Sequence, residues 1–161
     1  MPRIYLETLI KANIETVFNC ARDIDLHQES MAKTHEKAIA GRTSGLIELN
    51  DTVTWRARHL GIYQNLKTKI TSMDKPYHFT DIMLEGAFKS MEHQHIFRID
   101  RNKTMMTDIF EFESPGGMIG KLFNLLFLKN YMKNLLLERN KIIKESAEHK
   151  STINIIRKRI K

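Results

Sequence analysis

Two histidines and an aspartate on neighbouring strands are the residues of this chain best placed to do chemistry. Strand alternation around the turn Asp100–Lys103 puts His93 and His95 on the face that also carries Asp108. A turn centred on residues 101 and 102 pairs His95 directly with Asp108, and such opposed side chains have Cβ atoms about 4.5–5.5 Å apart. A carboxylate bound to one imidazole nitrogen fixes the tautomer and leaves the other nitrogen for general acid–base catalysis. The sequence therefore predicts a His95–Asp108 pair, either catalytic or a buried pair that satisfies its own hydrogen bonds.

The same face also carries the ligand types of a metal site. Asp81 lies on the neighbouring strand within about one register step of His93, and His95 follows two residues later. Histidines at alternate strand positions do not have the spacing of zinc motifs. We therefore expect Asp81, His93 and Gln64 to form a polar network that orients a ligand carbonyl or hydroxyl group. No metal and no other cofactor is predicted, since phosphate-binding glycine loops and a serine elbow are also absent.

The remaining residues of this face are mostly apolar and predict the wall of a binding pocket. Trp55 and His59 are inward on an earlier strand, and methionines suit a pocket of variable shape. Arg139 lies on the apolar stripe of the final helix, where we expect it to pair with an inward carboxylate because an unpaired buried charge is costly. The residues expected to contact a ligand are Trp55, His59, Gln64, Asp81, Met83, His93, His95, Met106, Asp108, Phe110 and Arg139.

Hydrophobic periodicity predicts the elements that position these groups. A first strand is followed by a helix capped by Asn13 and a second short helix capped by Asp25. A short strand and five longer strands follow, with turns at 60–61, 72–76, 85–87 and 100–103. A helical stretch runs from about 118 to 149, with a break predicted near 128–130. The class is α+β: a curved antiparallel sheet of about seven strands (β-α-α-β6-α) wrapped around a long C-terminal helix, a helix-grip fold with an internal cavity.

Length and charge indicate one domain with a basic extension. The chain has 161 residues, 42% of them apolar, which is enough for one core over residues 1–149. Five of the seven net positive charges lie in the tail 150–161, which has no acidic residue. A solvated, frayed end is the expectation for this tail, and a short helix in weak contact with a membrane surface is the alternative. The nearly neutral body gives no reason to expect specific nucleic-acid binding.

Targeting features favour the cytoplasm. The N-terminus begins a strand directly and lacks the apolar segment of a signal peptide. No apolar run reaches about eighteen residues, the length of a membrane span. The single cysteine, Cys20, excludes an internal disulfide framework and fits a reducing compartment.

Several short strings resemble one known superfamily. They are Val53–Gly61, Pro76–Asp81, Gly86–Phe88, His93–Phe97, Thr107–Asp108, Ser114–Gly117 and Glu138–Asn140. Over residues 3–149 the chain resembles the START/pollen-allergen superfamily, also called SRPBCC or polyketide cyclase-like. Within it the chain looks most similar to the bacterial ligand-binding SRPBCC, or cell-division-inhibitor-like, group. The resemblance implies the helix-grip fold with a ligand cavity, and it does not account for the basic tail.

Three functions remain open from the sequence. The favoured one is a binding protein for a small hydrophobic molecule such as a lipid, a polyketide or another apolar metabolite. The first alternative is a cyclase- or dehydratase-like enzyme that uses the His95–Asp108 pair, an analogy at the level of fold. The second alternative is an interaction module that acts through residues 150–161. The oligomeric state is left open.

Overall fold

A computed structural model describes residues 1–113 and 127–159 of the chain. These residues form seven strands and three α-helices, with a single turn of 3₁₀ helix at Ala32–Thr34. The elements, in chain order, are β1 (Arg3–Ile10), α1 (Ile14–Ala21), α2 (Ile24–Ser30), β2 (Lys37–Gly41), β3 (Thr52–His59), β4 (Ile62–Asp74), β5 (His78–Glu85), β6 (Ser90–Asp100), β7 (Lys103–Glu113) and α3 (Lys129–Arg159).

The seven strands form one antiparallel sheet in the order β1-β7-β6-β5-β4-β3-β2. The predicted α+β helix-grip class is confirmed, with α1 and α3 packed on one face of the sheet. Because side chains alternate between the two faces of a strand, the register decides which residues meet. β6 and β7 pair so that His95 lies opposite Asp108, as predicted. Residues 101 and 102 form the turn, with Arg101 at a φ of 56°.

The β4–β5 connection differs from the prediction at its start. The predicted turn at 72–76 begins too early, because β4 continues to Asp74 and Ser72 still pairs with Thr80. A register shift between Ile70 and Ser72 accommodates the extra residue in the ladder. Downstream, Asp81 and His93 lie directly opposite each other, so both face the interior.

Side-chain caps begin the two short helices. Asn13 caps α1, as predicted, with its Oδ1 accepting from the Thr16 amide at 2.8 Å. The predicted Asp25 cap of α2 is wrong, because Asp23 is the cap and accepts from the Asp25 and Leu26 amides. The Asp25 carboxylate instead accepts from the Gly45 amide at 2.9 Å. Two aspartates only two positions apart made the choice ambiguous from sequence.

Helix α3 begins at Lys129, within the predicted break at 128–130, and continues to Arg159. The part of the predicted helix from 118 to 126 lies outside the described residues. The basic tail is helical through Arg159 rather than frayed, so the boundary at residue 149 marks a change in composition within a continuous helix. Whether residues 150–161 contact a membrane stays a prediction. None of the described helices is long and apolar enough to cross a membrane.

Two clusters of apolar side chains fill the inner face of the sheet. The larger packs α1, α2 and α3 against the centre of the sheet, with the Phe18 ring at an edge to those of Phe79 and Phe97, 5.7 and 5.3 Å away. The smaller is built on β1, β6, β7 and the N-terminal half of α3 and contains Ile4, Leu6, Met91, Phe110, Phe112 and Leu136.

The end of β2 contains a glycine whose substitution should be costly. Gly41 has a φ of 75°, and an added Cβ would lie 2.1 Å from the Thr52 carbonyl oxygen. Gly45 has a similar φ of 70°, but nothing lies within 4 Å of its Cβ position. We expect Gly45→Ala to lower the free energy of unfolding by about 1–2 kcal/mol, because of the left-handed backbone alone. Gly41→Ala should lower it by at least about 2 kcal/mol more than Gly45→Ala does, because the strands must also separate. Urea denaturation followed by Trp55 fluorescence measures both, and equal losses would contradict the assigned close approach.

Candidate functional site

A cavity of about 430 Å³ lies between the inner face of the sheet and helices α2 and α3. Members of both apolar clusters border it, so it occupies the space where the two parts of the core do not meet. Its apolar wall includes Ala21, Ile24, Met31, Ile47, Val53, Trp55, Ala57, Leu66, Ile70, Ala87, Phe88, Met91, Phe110, Leu128, Met132, Leu135 and Leu136.

Three polar side chains on β5 and β6 meet inside this wall. Strand parity turns Asp81, His93 and His95 toward the cavity, which all three border. His95 and His93 are 2% and 7% exposed, and the side chain of Asp81 is 18% exposed. The cavity therefore presents a cluster of ionisable groups beside a largely apolar wall, the arrangement expected of a specific ligand site.

The hydrogen bonds in this cluster differ from the predicted His95–Asp108 pair, because Asp108 bonds to His93 and His95 bonds to Asp81. His93 Nε2 lies 3.0 Å from Asp108 Oδ1, and His95 Nε2 lies 3.2 Å from Asp81 Oδ1. His95 Nδ1 is also 3.0 Å from Asp108 Oδ1, but the geometry is not that of a hydrogen bond and this buried nitrogen has no partner among the described residues. The strand register is thus as predicted, while Asp108 bonds to His93.

Ring packing accounts for this arrangement. The His93 and His95 rings lie 3.8 Å apart between centroids. Phe79 stacks on His95 at 4.1 Å with an interplanar angle of 21°. The stacked ring orientation directs one nitrogen of His95 toward Asp81 on the next strand, and backbone register alone does not determine that rotation.

Asp108 is fully buried below the histidines and connects them to α3. Asn140 Nδ2 donates to Asp108 Oδ2 at 2.7 Å, and Arg139 Nη1 approaches Oδ1 at 3.4 Å. The other guanidinium nitrogen, Nη2, donates to the Ala21 carbonyl oxygen at 3.1 Å. The predicted pairing of Arg139 with an inward carboxylate is therefore confirmed.

These contacts set the protonation states of the cluster. Burial alone would raise the pKa of Asp108, but the His93 hydrogen bond and the nearby His95 hold it well below its usual value. The pKa of Asp81 is lowered in the same way, mainly by its hydrogen bond with His95 against the effect of burial. Burial, followed by the proximity of His95, lowers the pKa of His93 to about 4. At pH 7 the cluster therefore contains two carboxylates and a neutral His93.

A second polar contact joins the β3–β4 hairpin to the beginning of α3. His59 Nδ1 and the Tyr131 hydroxyl are 2.9 Å apart, and both side chains border the cavity with Leu60 at the hairpin tip. Burial lowers the pKa of His59 and raises that of Tyr131. This contact bridges the sheet and the helix on one side of the cavity.

A third contact lies at the α2 side. His27 stacks on Trp55 with ring centroids 4.2 Å apart, and its Nε2 lies 2.6 Å from Glu36 Oε1. One side of the only indole in the chain is therefore already covered by a protein ring. All three residues border the cavity.

Most of the predicted ligand-contacting residues lie on the cavity surface, and three do not. Met106 is fully buried in the larger cluster, Met83 packs against the smaller one, and Asp108 lies behind the histidines. The alternation of side chains along each strand predicted the correct face of the sheet for these residues, but not how deeply each one is buried. The predicted residues on the cavity surface are Trp55, His59, Gln64, Asp81, His93, His95, Phe110 and Arg139.

The set of predicted ligand-contacting residues contains none from α2 and none from the beginning of α3. His27 on α2 and Met31 directly after it are spaced as on one helix face, and so are Leu128, directly before α3, and Tyr131 and Leu135 within it. Positions three and four apart share a helix face, so this spacing was the available signal. The short length of α2 made its face hard to assign.

Asp81, His93 and His95 also have the composition of a metal site. One ligand atom from each lies within 4.8 Å of the other two. Imidazole nitrogen and carboxylate oxygen together suit divalent transition metals such as zinc.

Known structures share the fold at low sequence identity. The chain is similar to the TTHA0849 protein of Thermus thermophilus, with 18% identity, a TM-score of 0.76, and coverage of 93% of this chain and 99% of that one. Ginseng major latex-like protein 151 from Panax ginseng is 16% identical with a TM-score of 0.61 and coverage of 91% and 97%. Ara h 8.0201 is 9% identical with a TM-score of 0.59 and coverage of 88% and 97%.

No family model matches the sequence, and no curated protein matches it significantly. The structural neighbours support the fold expected from the START/pollen-allergen resemblance. At these identities the similarity concerns the fold alone, so function has to be argued from the cavity and its polar groups.

Removing the charge of Asp108 should destabilise the protein strongly. Asp108→Asn retains the shape but leaves the buried Arg139 guanidinium without a carboxylate, a change that costs about 3–5 kcal/mol when buried pairs are broken. Glu138→Gln on the same helix is the matched control, since it removes only the exposed contact with Lys33 and should cost less than about 1 kcal/mol. Chemical denaturation of both variants tests this, and similar losses would contradict a stabilising role for Asp108.

His93 should make stability fall on acidification. Its folded pKa of about 4 lies below the ordinary value of 6.5, so the unfolded chain takes up the proton first and stability is lost as the pH falls from 6.5 toward 4. The titratable and charged groups facing the ring are Asp81, His95, Asp108 and Arg139. Between pH 7 and pH 5 the resulting loss in the free energy of unfolding is about 2 kcal/mol.

His93→Gln, which can still donate to Asp108, should reduce that pH dependence. His149→Gln, at an exposed position of α3, should leave it unchanged. Denaturant titrations of chelator-treated protein at pH 5, 6 and 7 provide the comparison. A slope in His93→Gln equal to that of the wild type would show that His93 is not held neutral.

Proposed function

We propose that this protein binds a small, mainly apolar molecule with a polar group in the cavity between the sheet and α3. The observation that supports this is the cavity of about 430 Å³, which lies within the range of about 300–1,000 Å³ usual for small-molecule sites. Bet v 1-type neighbours such as Ara h 8.0201 share the fold, which is consistent with a ligand cavity and does not identify the ligand.

The apolar wall and the polar cluster would recognise different parts of the ligand. The wall combines aliphatic, methionine and aromatic side chains from the sheet and both helices, so it suits a hydrocarbon or ring system. Asp81 retains exposure to the cavity, and its carboxylate would accept a hydrogen bond from a ligand hydroxyl or amide. Since His27 already covers one side of Trp55, a planar ligand would have only its other side or its edge to contact.

The resemblance seen in the sequence narrows the ligand class. We propose a lipid, a polyketide or a similar apolar metabolite, as expected of the bacterial ligand-binding SRPBCC group that the chain resembles. Among the described residues, the cavity surface contains no dense cation cluster: its arginines, Arg22 and Arg139, are both engaged by carboxylates. A multiply charged ligand is therefore disfavoured.

An enzyme of the cyclase or dehydratase type is the second candidate, and one observation favours it. Asp108 is hydrogen-bonded to Nε2 of a His93 that is neutral at pH 7, which leaves Nδ1 as the proton acceptor. This nitrogen has no hydrogen bond to a described residue and is not among the buried unpaired atoms, so it reaches open space at the cavity. In this alternative, we propose His93 rather than His95 as the base, with Asp108 as its orienting partner.

Filling the cavity should weaken binding of an apolar probe. Ala57 is 4% exposed on the cavity wall, so Ala57→Leu places additional carbon atoms inside. Ala40→Leu adds the same group at an exposed position of β2 and is the matched control. With the neutral fluorophore N-phenyl-1-naphthylamine, we expect saturable binding that weakens at least about tenfold in Ala57→Leu, about 1.4 kcal/mol.

Ala40→Leu should bind the probe like the wild type, and both variants should unfold cooperatively. No saturable binding by the wild type, or equal affinities in the two variants, would contradict the proposal. Native mass spectrometry of protein purified from its own cells, followed by organic extraction, then identifies any molecule that copurifies.

A further inference from the structure

We propose that Asp81, His93 and His95 form a binding site for one divalent transition-metal ion of the zinc type at the polar part of the cavity. The two imidazoles and one carboxylate supply three protein ligands, and Asp108 is the carboxylate behind both imidazoles. This goes beyond ligand binding in the cavity and does not depend on it.

The spacing of the ligand atoms fits such an ion. His95 Nε2 and Asp81 Oδ1 are 3.2 Å apart, and two ligand atoms at about 2.0–2.1 Å from a tetrahedral zinc ion are about 3.3–3.4 Å apart. The full set spans at most 4.8 Å, so side-chain rotation that brings the widest pair about 1.4 Å closer completes the tetrahedral spacing. The residues lie on adjacent strands of one sheet, where the backbone restricts their positions.

The hydrogen bonds of the cluster supply an independent argument. His95 is placed between two carboxylates, with Nε2 at 3.2 Å from Asp81 and Nδ1 at 3.0 Å from Asp108. A neutral imidazole carries one N–H, so one of these nitrogens presents a lone pair to a carboxylate oxygen. Nδ1 is indeed the buried polar side-chain atom that lacks a hydrogen-bond partner among the described residues. Such an atom is costly unless another group completes it.

A metal ion resolves this conflict. When Nε2 of His95 binds the ion, the N–H moves to Nδ1, and a small rotation of the ring then lets it donate to Asp108 Oδ1, which lies 3.0 Å away. His93 has the matching arrangement, since its Nε2 is 3.0 Å from the same Asp108 oxygen and its Nδ1 is left for the metal. Both ligands would then be oriented by one carboxylate, the usual support of a metal-bound histidine.

The local charge also favours a cation. Two carboxylates, those of the fully buried Asp108 and the partly buried Asp81, face one guanidinium, that of Arg139. With neutral imidazoles the cluster has an excess of one negative charge, which a low-dielectric cavity does not stabilise. Imidazole ligands favour zinc, iron, copper or nickel over magnesium and calcium, which prefer oxygen.

The three ligands leave coordination positions toward the cavity. Three protein ligands with a free position are typical of sites that bind an exogenous molecule rather than structural sites. A carboxylate, hydroxyl or carbonyl group of a bound molecule would occupy that position. The site therefore predicts an oxygen-bearing polar end for the ligand.

The test uses untagged, chelator-treated full-length protein titrated with Zn²⁺ or Co²⁺ alone. We expect one ion per chain by calorimetry, a Co²⁺ absorption spectrum of nitrogen and oxygen ligands, and ¹⁵N shifts of the His93 and His95 side chains. Asp81→Asn and His95→Gln should each weaken Zn²⁺ binding at least about tenfold, the lower end of the losses found even for residues that only orient ligands. His149→Gln, at an exposed position of α3, should bind like the wild type.

Absence of stoichiometric Zn²⁺ or Co²⁺ binding would overturn the proposal. Equal affinity in Asp81→Asn, His95→Gln and the wild type would overturn it too, because the ion would be held elsewhere. Circular dichroism of the metal-free variants confirms that each is folded, and His93→Gln provides a third ligand variant. Probe binding by metal-free protein is measured separately, so failure here leaves the cavity proposal standing.

Discussion

The buried carboxylate of Asp108 is the constraint on which the rest of the site depends. It lies on β7, accepts from His93 on β6, and is held from the other side by Arg139 and Asn140 of α3. One charged group thus connects two strands to the long helix at the level of the cavity. Because removing a single partner would leave a buried charge, these four residues fix how α3 is rotated over the sheet and hence which helix residues face the cavity.

The cavity follows from that fixed separation between helix and sheet. Phe18, Phe79 and Phe97 fill the space on one side of the polar cluster, and the Phe110 and Phe112 group fills it on the other. Between them lies the cavity, whose wall includes the small side chains of Ala57 and Ala21. Close packing is the normal state of a protein interior, so a gap of this size held open by a buried ion pair indicates a site for a ligand.

Much of this architecture was predictable because a strand has a period of two residues and a short turn fixes register. Those two facts place His95 opposite Asp108 and put Trp55 on the inner face, and they bring Asp81 within about one register step of His93, which it directly opposes in the structure. They do not determine ring rotation, which Phe79 controls by stacking on His95, so the predicted hydrogen bond went to the wrong histidine. The depth at which a side chain is buried could not be predicted from the sequence either: Met106 and Trp55 share a face of the sheet, yet only Trp55 reaches the cavity. The α2 cap was misassigned because Asp25 is used by the Gly45 amide.

The fold and the polar cluster carry different kinds of information about function. A TM-score of 0.76 at 18% identity shows that the sheet and helix arrangement tolerates extensive change in sequence, so the fold specifies a cavity without specifying its occupant. The cluster is more specific, because two carboxylates and two imidazoles within hydrogen-bonding distance are costly to bury and do little for packing. His95 contacts both carboxylates with only one N–H in its neutral form. An arrangement that is incomplete without an added cation or ligand is a stronger argument for binding than the volume of the cavity, and it locates the polar end of whatever binds there.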